Sequence, residues 1–311
     1  MSSIIFRLSI ATFLLTVLTG CTGLKRLIHM YGDEALEPRV FRYPDGGQSI
    51  YYTFYHGNSD NPEIYIFFYG GTGCPSWKSV MPGYVDGLSV PARVFALNKR
   101  FVTDRSLGMF GCGEAFHKYN KIEQWISDYS DFITSQLNGA EHPPQKVVLV
   151  GVSEGAIQAV RVAGKIPRVT HLAIIGNGGY TMRKSLKTLH DKGLIYFDVD
   201  AGWEKIRKKK NSIEDSWYGN TYRWWTEIMD YDPMPWFLRL DIPILVGMGA
   251  EDTSVPVESA RFLKEAFTEA GKTNLTLKVY PQADHRLNSA TVSYRKDFFS
   301  VLGRMLKPDG K

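Results

Sequence analysis

The spacing of apolar positions changes several times along the chain, and each change marks an expected element. Residues 64–69 (IYIFFY) and 146–150 (KVVLV) are short and almost wholly apolar, which is typical of parallel strands buried on both faces. A hairpin is expected before them, with strands at 41–43 and 49–55 joined by the turn at 45–47 (DGG). The same apolar pattern predicts further strands over residues 93–97, 169–175, 242–248 and 275–280.

Segments with helical spacing alternate with these strands. Their apolar residues recur every three or four positions, so that one face of each helix can pack on the sheet. This spacing predicts helices over residues 122–137, 156–164, 257–270 and 290–306. Strands that alternate with helices in this way predict an α/β fold with a mostly parallel central sheet and helices on both faces.

Residues 180–238 interrupt the alternation between two predicted strands. They are rich in Trp, Tyr and Phe, and their charges nearly cancel, with ten Lys/Arg against nine Asp/Glu. Aromatic side chains in such a segment more often form a core than a ligand platform. If the segment does contact a ligand, its composition suits an apolar or aromatic group better than a polyanion.

The residues between the strand at 146–150 and the helix at 156–164 are the first candidates for chemistry. Residues 151–155 read GVSEG, and a strand, G-x-S-x-G and a helix in succession are the context of a nucleophile elbow. Gly151 and Gly155 suit a tight turn in which the strand and the helix approach closely. The pentapeptide by itself is a weak signal, so the assignment depends on a base and a carboxylate elsewhere.

Two further candidates follow predicted strands. Asp252 comes after the strand at 242–248, and His285 comes after the strand at 275–280. Ligands of open α/β sheets bind beyond the carboxyl ends of the strands, so Ser153 and both residues are expected at one edge. Glu251 and Asp284 remain alternative carboxylates at this stage.

With residues 249–256 (GAEDTSVP) and 283–285 (ADH), the GVSEG motif resembles the α/β-hydrolase superfamily from about Val40 to Leu306. The order Ser, Asp, His along the chain is the order of that superfamily. The resemblance implies an α/β-hydrolase fold in which Ser153 is the nucleophile, His285 the general base and acid, and Asp252 the residue that orients the imidazole. It also implies that residues 180–238 form a helical cap over the site.

A Ser–His–Asp site also needs two donors for the oxyanion. The backbone N–H of Glu154 is one expected donor, and Gly71 or Thr72, after the strand at 64–69, is expected to supply the second. Many members of the superfamily have His before this Gly-Gly, whereas this chain has Tyr69. The side chain of Glu154 is expected to point away from the acyl pocket; the alternative is that it binds a cationic group of a substrate.

Composition removes several other classes of function. The net charge of +5 is small and no basic block is long, so no nucleic-acid partner is expected. No metal-ligand spacing of Cys or His occurs, so neither a metal nor a cofactor is expected.

After Cys21, two cysteines remain, Cys74 and Cys112. They can form a disulfide in an oxidising compartment, and Cys74 directly follows the predicted oxyanion loop, which such a bridge would pre-organise.

The N-terminus predicts export. Arg7, an apolar run over residues 8–18 and small residues after it are typical of a signal peptide over residues 1–20. Residues 18–21 (LTGC) resemble a bacterial lipobox, in which Cys21 is acylated; an ordinary signal peptide is the alternative. Thr22 after the cysteine favours the periplasmic side of the outer membrane. Residues 21–39 are then a tether and lead-in, and residues 40–311 the hydrolase domain.

These expectations combine into an exported, lipid-anchored serine hydrolase of the cell envelope. It would cleave a small-molecule ester or thioester through an acyl-enzyme and touch the membrane through its lipid anchor. One alternative is a peptidase of the same superfamily that acts on short peptides. A second alternative is a catalytically silent envelope lipoprotein with a binding role, because a fold alone does not establish an activity.

Overall fold

The central sheet forms from the apolar runs that the sequence indicates. The computed structural model describes residues 36–81, 83–108 and 111–307. Its strands are β1 (Arg39–Arg42), β2 (Gln48–His56), β3 (Ile64–Tyr69), β4 (Ala92–Leu97), β5 (Lys146–Val152), β6 (His171–Ile175), β7 (Ser216–Trp217), β8 (Asn220–Thr221), β9 (Ile244–Gly249) and β10 (Leu275–Tyr280). Eight of them pair in the order β1-β2-β4-β3-β5-β6-β9-β10, while β7 and β8 form a separate ribbon. The pairs β1–β2 and β2–β4 are antiparallel and the other pairs of the large sheet are parallel.

Helices connect the strands and cover both faces of the sheet. They are α1 (Glu114–Tyr119), α2 (Ile122–Asn138), α3 (Gly155–Ala163), α4 (Met182–Asp191), α5 (Val199–Lys208), α6 (Tyr222–Ile228), α7 (Met234–Leu238), α8 (Val257–Glu269) and α9 (Arg295–Met305), with a 3-10 turn at Trp77–Ser79. The mostly parallel, doubly covered sheet confirms the predicted α/β-hydrolase class of fold.

Neighbouring residues of one strand contribute to different hydrophobic cores. Phe67 of β3 packs edge-on against Phe132 of α2, with ring centroids 6.1 Å apart. Phe68, the next residue, turns to the other face and lies 6.1 Å from the ring of Phe299 of α9. Both faces of β3 are therefore dry, which is the physical reason that its sequence shows no polar alternation.

The predicted start of the closing helix is wrong. The closing helix begins at Arg295 rather than at residue 290, because Asn288 and Ser293 form an isolated bridge and the Ser289 hydroxyl accepts the N–H of Val292. A side chain that accepts a local backbone N–H competes with helix formation.

Residues 180–238, which we call the insertion, form α4 to α7 and the β7–β8 ribbon between β6 and β9. Contacts with α2 and α3 help to attach them to the core. The guanidinium of Arg161 in α3 lies 4.1 Å from the ring centroid of Trp236. The carboxylate of Glu227 accepts the N–H of Ile122 at 3.3 Å, and the first N–H groups of a helix such as α2 lack partners within the helix. The insertion therefore packs on α2 and α3.

Part of the N-terminal prediction lies outside the described residues. This holds for the signal peptide at 1–20, for Cys21 and for the tether as far as residue 35. Among the residues that are described, no helix combines the length and the apolar character that crossing a membrane requires.

Candidate active site

Ser153 occupies a strained turn between β5 and α3. Its φ is +55°, in the left-handed region that costs a residue with a Cβ about 1–2 kcal/mol. Its N–H donates to the carbonyl of Ile175 at 2.8 Å, which ties the turn to the end of β6. A Cβ on Gly151 would lie 2.7 Å from Cα of Ala156, and one on Gly155 would collide with the carbonyl oxygen of Tyr69. Both glycines are therefore required by the close approach of strand, helix and β3 loop.

Asp252 and His285 meet beyond the ends of β9 and β10. These strands pair in parallel with Gly249 opposite Tyr280, so the loops that follow them leave the sheet side by side. Nδ1 of His285 donates to Oδ2 of Asp252 at 2.7 Å. The side chain of Asp252 is fully buried and that of His285 is 21% exposed, so the carboxylate is enclosed while the imidazole reaches the surface of the site.

Backbone donors hold the carboxylate of Asp252 in place. Its Oδ1 accepts the N–H groups of Ser254 at 2.7 Å and Val255 at 2.9 Å. Asp284, one of the alternative carboxylates, uses its Oδ1 to accept the N–H groups of Arg286 and Asn288 instead. Among the three candidate acids, the structure therefore brings Asp252 to the imidazole, with one oxygen fixed and the other free to orient His285.

Residues at the end of β6 lie between the serine and the histidine. A Cβ on Gly176 would lie 3.0 Å from Cε1 of His285, so the imidazole packs directly on this glycine. The side-chain amide of Asn177 donates to the carbonyl of Ser153 at 2.8 Å. Asn177 belongs to no motif that sequence reasoning used. Its position immediately after a predicted strand is the signal that could have found it.

The loop after β3 faces the serine through Gly71. A Cβ on Gly71 would lie 3.2 Å from Cβ and 3.8 Å from Oγ of Ser153, so a side chain there would crowd the serine hydroxyl. Thr72 is exposed and follows on the same loop. On the other side of Ser153, Glu154 caps α3, and backbone N–H groups at the start of a helix have no partner within it. Both predicted donor segments thus flank Ser153.

Tyr69, which stands where many superfamily members have His, supports this loop by aromatic packing. Its ring is fully buried and stacks on Tyr129 of α2, with centroids 4.0 Å apart and planes at 24°. The hydroxyl of Tyr129 donates to the carbonyl of Leu97 at 3.1 Å. Burial raises the pKa of Tyr69 and of Tyr129, so both phenols stay neutral.

A disulfide joins the neighbourhood of this loop to a second segment. Cys74 and Cys112 are bonded, with Cα atoms 5.8 Å apart. Beside the bond, the hydroxyl of Ser106 donates to the carbonyl of Cys74 at 2.6 Å. The N–H of Ser76 donates to the carbonyl of Ser106 at 2.6 Å. The chain just after the 70–73 loop is therefore tied to the segments around Ser106 and Cys112 by the disulfide and by these hydrogen bonds.

Reducing the bridge between Cys74 and Cys112 tests whether it pre-organises the 70–73 loop. The bridge closes a separation of 38 residues, which is worth about 4 kcal/mol of unfolding free energy in the chain-entropy model. We expect reduction to lower the melting temperature and also to lower kcat at 25 °C by roughly threefold to tenfold, because an oxyanion donor loses its fixed position. Calorimetry and initial rates measure the two effects. A lower melting temperature with unchanged kcat would show that the bridge only stabilises the fold.

The side chain of Glu154 is engaged inside the protein. Its carboxylate lies 3.3 Å from the ammonium of Lys99, and the indole N–H of Trp224 donates to it at 3.1 Å. This geometry favours the interpretation in which the carboxylate points away from the acyl pocket, because a substrate cation would have to displace Lys99. Trp224 carried no signal in the sequence, because it lies within the insertion, 70 residues from Glu154. Lys99 follows a predicted strand, as Asn177 does, but that position alone does not indicate a pairing with Glu154, 55 residues away.

Fold and site together define the class of protein. The sheet is mostly parallel, a strained serine turn follows β5, and a His–Asp pair lies beyond the ends of β9 and β10. This combination defines a serine hydrolase of the α/β-hydrolase superfamily. The sequence model of the prolyl oligopeptidase family (Peptidase_S9) matches residues 107–303, more than half of the 311 residues. The chain therefore belongs to the prolyl oligopeptidase family.

Solved structures show the same fold at low sequence identity. An acylaminoacyl peptidase of Pyrococcus horikoshii is 13% identical with a TM-score of 0.57; the match covers 87% of this chain and 41% of that one. Est1E from Butyrivibrio proteoclasticus is 12% identical with a TM-score of 0.57, and the match covers 86% of this chain and 97% of that one. The Pyrococcus furiosus esterase Pf2001 is 14% identical with a TM-score of 0.57, and the match covers 88% of this chain and 92% of that one. This chain thus spans about two fifths of the peptidase and nearly all of Est1E and Pf2001. No curated protein matches the chain.

Proposed function

We propose that Ser153, His285 and Asp252 form a catalytic triad that cleaves an ester or thioester. One observation carries the proposal above the others. The imidazole of His285 is held at 2.7 Å by a fully buried carboxylate, and it packs on Gly176 at the end of the strand whose last carbonyl accepts the N–H of Ser153. A serine hydroxyl is a weak nucleophile until an oriented base accepts its proton.

The reaction follows from the position of each group. Oγ of Ser153 attacks the acyl carbon while its proton passes to Nε2 of His285, and Asp252 stabilises the imidazolium. The N–H of Glu154 and an N–H of Gly71 or Thr72 stabilise the oxyanion. The intermediate collapses, the C–O or C–S bond breaks, and the imidazolium gives its proton to the leaving group. Water then repeats the sequence on the acyl-enzyme and releases the acid.

Two observations favour an ester substrate, and two favour a peptide. The chain spans nearly the whole length of the esterase Pf2001 and of Est1E, and the insertion, which we propose as a cap over the site, is rich in aromatic side chains and nearly neutral. Such a lining suits an apolar or aromatic acyl group. The family match and the likeness to an acylaminoacyl peptidase make a peptidase acting on short peptides the second candidate.

A fluorophosphonate probe and a substrate panel test this proposal. We expect the folded protein, and not the heat-denatured one, to be labelled on the peptide that contains Ser153, as mass spectrometry can locate. We expect short p-nitrophenyl esters to be turned over faster than aminoacyl arylamides. The reverse preference would establish the peptidase. Absence of labelling on the folded protein would leave the silent binding protein as the remaining interpretation.

We further propose that the protein is anchored by an acylated Cys21 on the periplasmic side of the bacterial outer membrane. The bridge between Cys74 and Cys112 supports export, because disulfides persist in oxidising compartments. In cells that express the full chain, we expect the protein in the membrane fraction and the Cys21→Ser variant outside it. Equal partition of both into the membrane fraction would contradict lipidation at this cysteine.

A further inference from the structure

Three buried side chains surround the carboxylate of Glu154, next to the nucleophile. With Glu154 itself they form what we call the Glu154 cluster: Lys99, Glu154, Gln158 and Trp224. The ammonium of Lys99 lies 3.3 Å from Oε1 of Glu154, and the amide of Gln158 donates to the same oxygen at 3.4 Å. The indole N–H of Trp224 donates to Oε2 at 3.1 Å. Both carboxylate oxygens are thus held, and the side chain of Glu154 has one position.

The ion pair in this cluster is almost completely removed from water. The side chains of Lys99 and Glu154 are 7% and 3% exposed, and the ammonium lies 4.8 Å from the ring centroid of Trp125. A buried ion pair is a poor source of stability, since apolar residues of similar volume often stabilise a fold as well or better. The position of the pair, with its acid directly following Ser153, points to a role in the site.

The cluster also joins three separate parts of the chain. Lys99 follows β4, Glu154 belongs to the serine turn, and Trp224 is on α6 of the insertion. Helix α6 has a second attachment, where Glu227 accepts the N–H of Ile122. The insertion is therefore fastened to the turn on one side and to the start of α2 on the other.

We propose that Glu154 is a positioning residue whose side chain, held by Lys99 and Trp224, orients the backbone N–H that binds the oxyanion. This inference rests on the proposed function. The side chain and the N–H of Glu154 share one Cα, so fixing the carboxylate restricts rotation of the peptide group between Ser153 and Glu154. The ammonium of Lys99 has a second effect. It balances a negative charge that would otherwise oppose the oxyanion close by.

Neighbouring tryptophans on α6 supply a matched pair of variants. Trp224 and Trp225 are both buried, and the indole N–H of Trp225 donates to the carbonyl of Trp217 at 2.6 Å, away from the serine turn. Trp224→Phe and Trp225→Phe each remove one indole N–H hydrogen bond and the same volume from the same helix. They differ in that only the first touches Glu154.

We expect Trp224→Phe to lower kcat for a p-nitrophenyl ester by about tenfold, part of the 10²- to 10³-fold effect of losing an oxyanion donor, with KM within about twofold. The two variants should lower the melting temperature by similar amounts, but Trp225→Phe should leave kcat within about twofold of the unchanged protein. Equal kcat losses in the two variants, or a loss carried by KM alone, would overturn the inference. If the unchanged protein lacks Ser153-directed fluorophosphonate labelling, the proposed function itself fails, and the two failures are distinguishable.

Removing the positive charge of Lys99 gives a second test of the same inference. Lys99→Met leaves the carboxylate of Glu154 without its counter-ion, and we expect a larger fall in kcat than for Trp224→Phe. Combining it with Glu154→Gln removes the unbalanced charge and keeps an acceptor, so kcat should recover at least about threefold over Lys99→Met alone. No recovery in a double variant that folds as well as Lys99→Met would show that the ammonium does not act through Glu154.

Discussion

Replacing Ser153 by Ala is expected to lower ester turnover by at least about 10⁴-fold, because the acyl-enzyme can no longer form. The backbone should be unaffected, since alanine carries the same Cβ at φ +55°. Initial rates with a p-nitrophenyl ester measure the loss, and near-ultraviolet circular dichroism verifies the fold. Residual turnover close to that of the unchanged protein would show that Ser153 is not the nucleophile.

A second variant at the same position separates function from strain. Ser153→Gly should be as inactive as Ser153→Ala, but it should be more stable than the alanine variant by about 1 kcal/mol, because glycine adopts a positive φ without a steric penalty. Urea unfolding of the two inactive variants measures this difference. A glycine variant that is less stable than the alanine variant would mean that the turn stores no strain of this kind.

Asp252→Asn is expected to lower kcat by about 10³- to 10⁴-fold with little loss of stability. In the variant an amide NH₂ replaces Oδ2 and cannot accept the Nδ1–H of His285. The imidazole is then no longer held in the tautomer whose Nε2 is free to act as a base, and the imidazolium loses its stabilising charge. The asparagine oxygen can still accept the N–H groups of Ser254 and Val255, which Oδ1 accepts now. Steady-state kinetics and thermal unfolding report the two properties separately.

The alternative acids provide the controls for this experiment. Asp284→Asn and Glu251→Gln remove the same charge from residues on the two neighbouring loops, and Asp284 is occupied with the backbone of its own turn. Both variants should keep kcat within about twofold, as is usual for surface changes away from the reacting groups. If Asp284→Asn loses as much activity as Asp252→Asn, the assignment of the orienting carboxylate is wrong.

Much of the sheet could be predicted because its strands are buried on both faces. In β3, β5 and β9 this burial excludes polar residues and leaves an apolar run that is visible in the sequence. Where side-chain hydrogen bonds compete with the helix, as between Ser289 and Val292, the same reasoning placed a boundary wrongly. The insertion was recognised by its broken alternation and expected to be helical from the resemblance, but the bounds of its individual helices were not predicted.

The residues of the candidate triad could be predicted from the sequence for a related reason. Parallel strands direct all their carboxyl ends to one edge, so residues that follow different strands meet there whatever their separation in the chain. Ser153, Asp252 and His285 each hold such a position. Asn177 holds one too and was missed, because an amide after a strand has no motif of its own.

The sequence by itself therefore determined the class of fold, the serine turn and the order of the candidate groups, since these depend on the local period of apolar residues and on strand ends. Tertiary structure alone decided which acid meets His285 and where the side chain of Glu154 goes. Those outcomes depend on hydrogen-bond distances between loops and on partners such as Lys99 and Trp224. The strand ends bring such residues to one edge of the sheet, but which side chains pair there depends on how the loops and the insertion pack, and no local pattern records it.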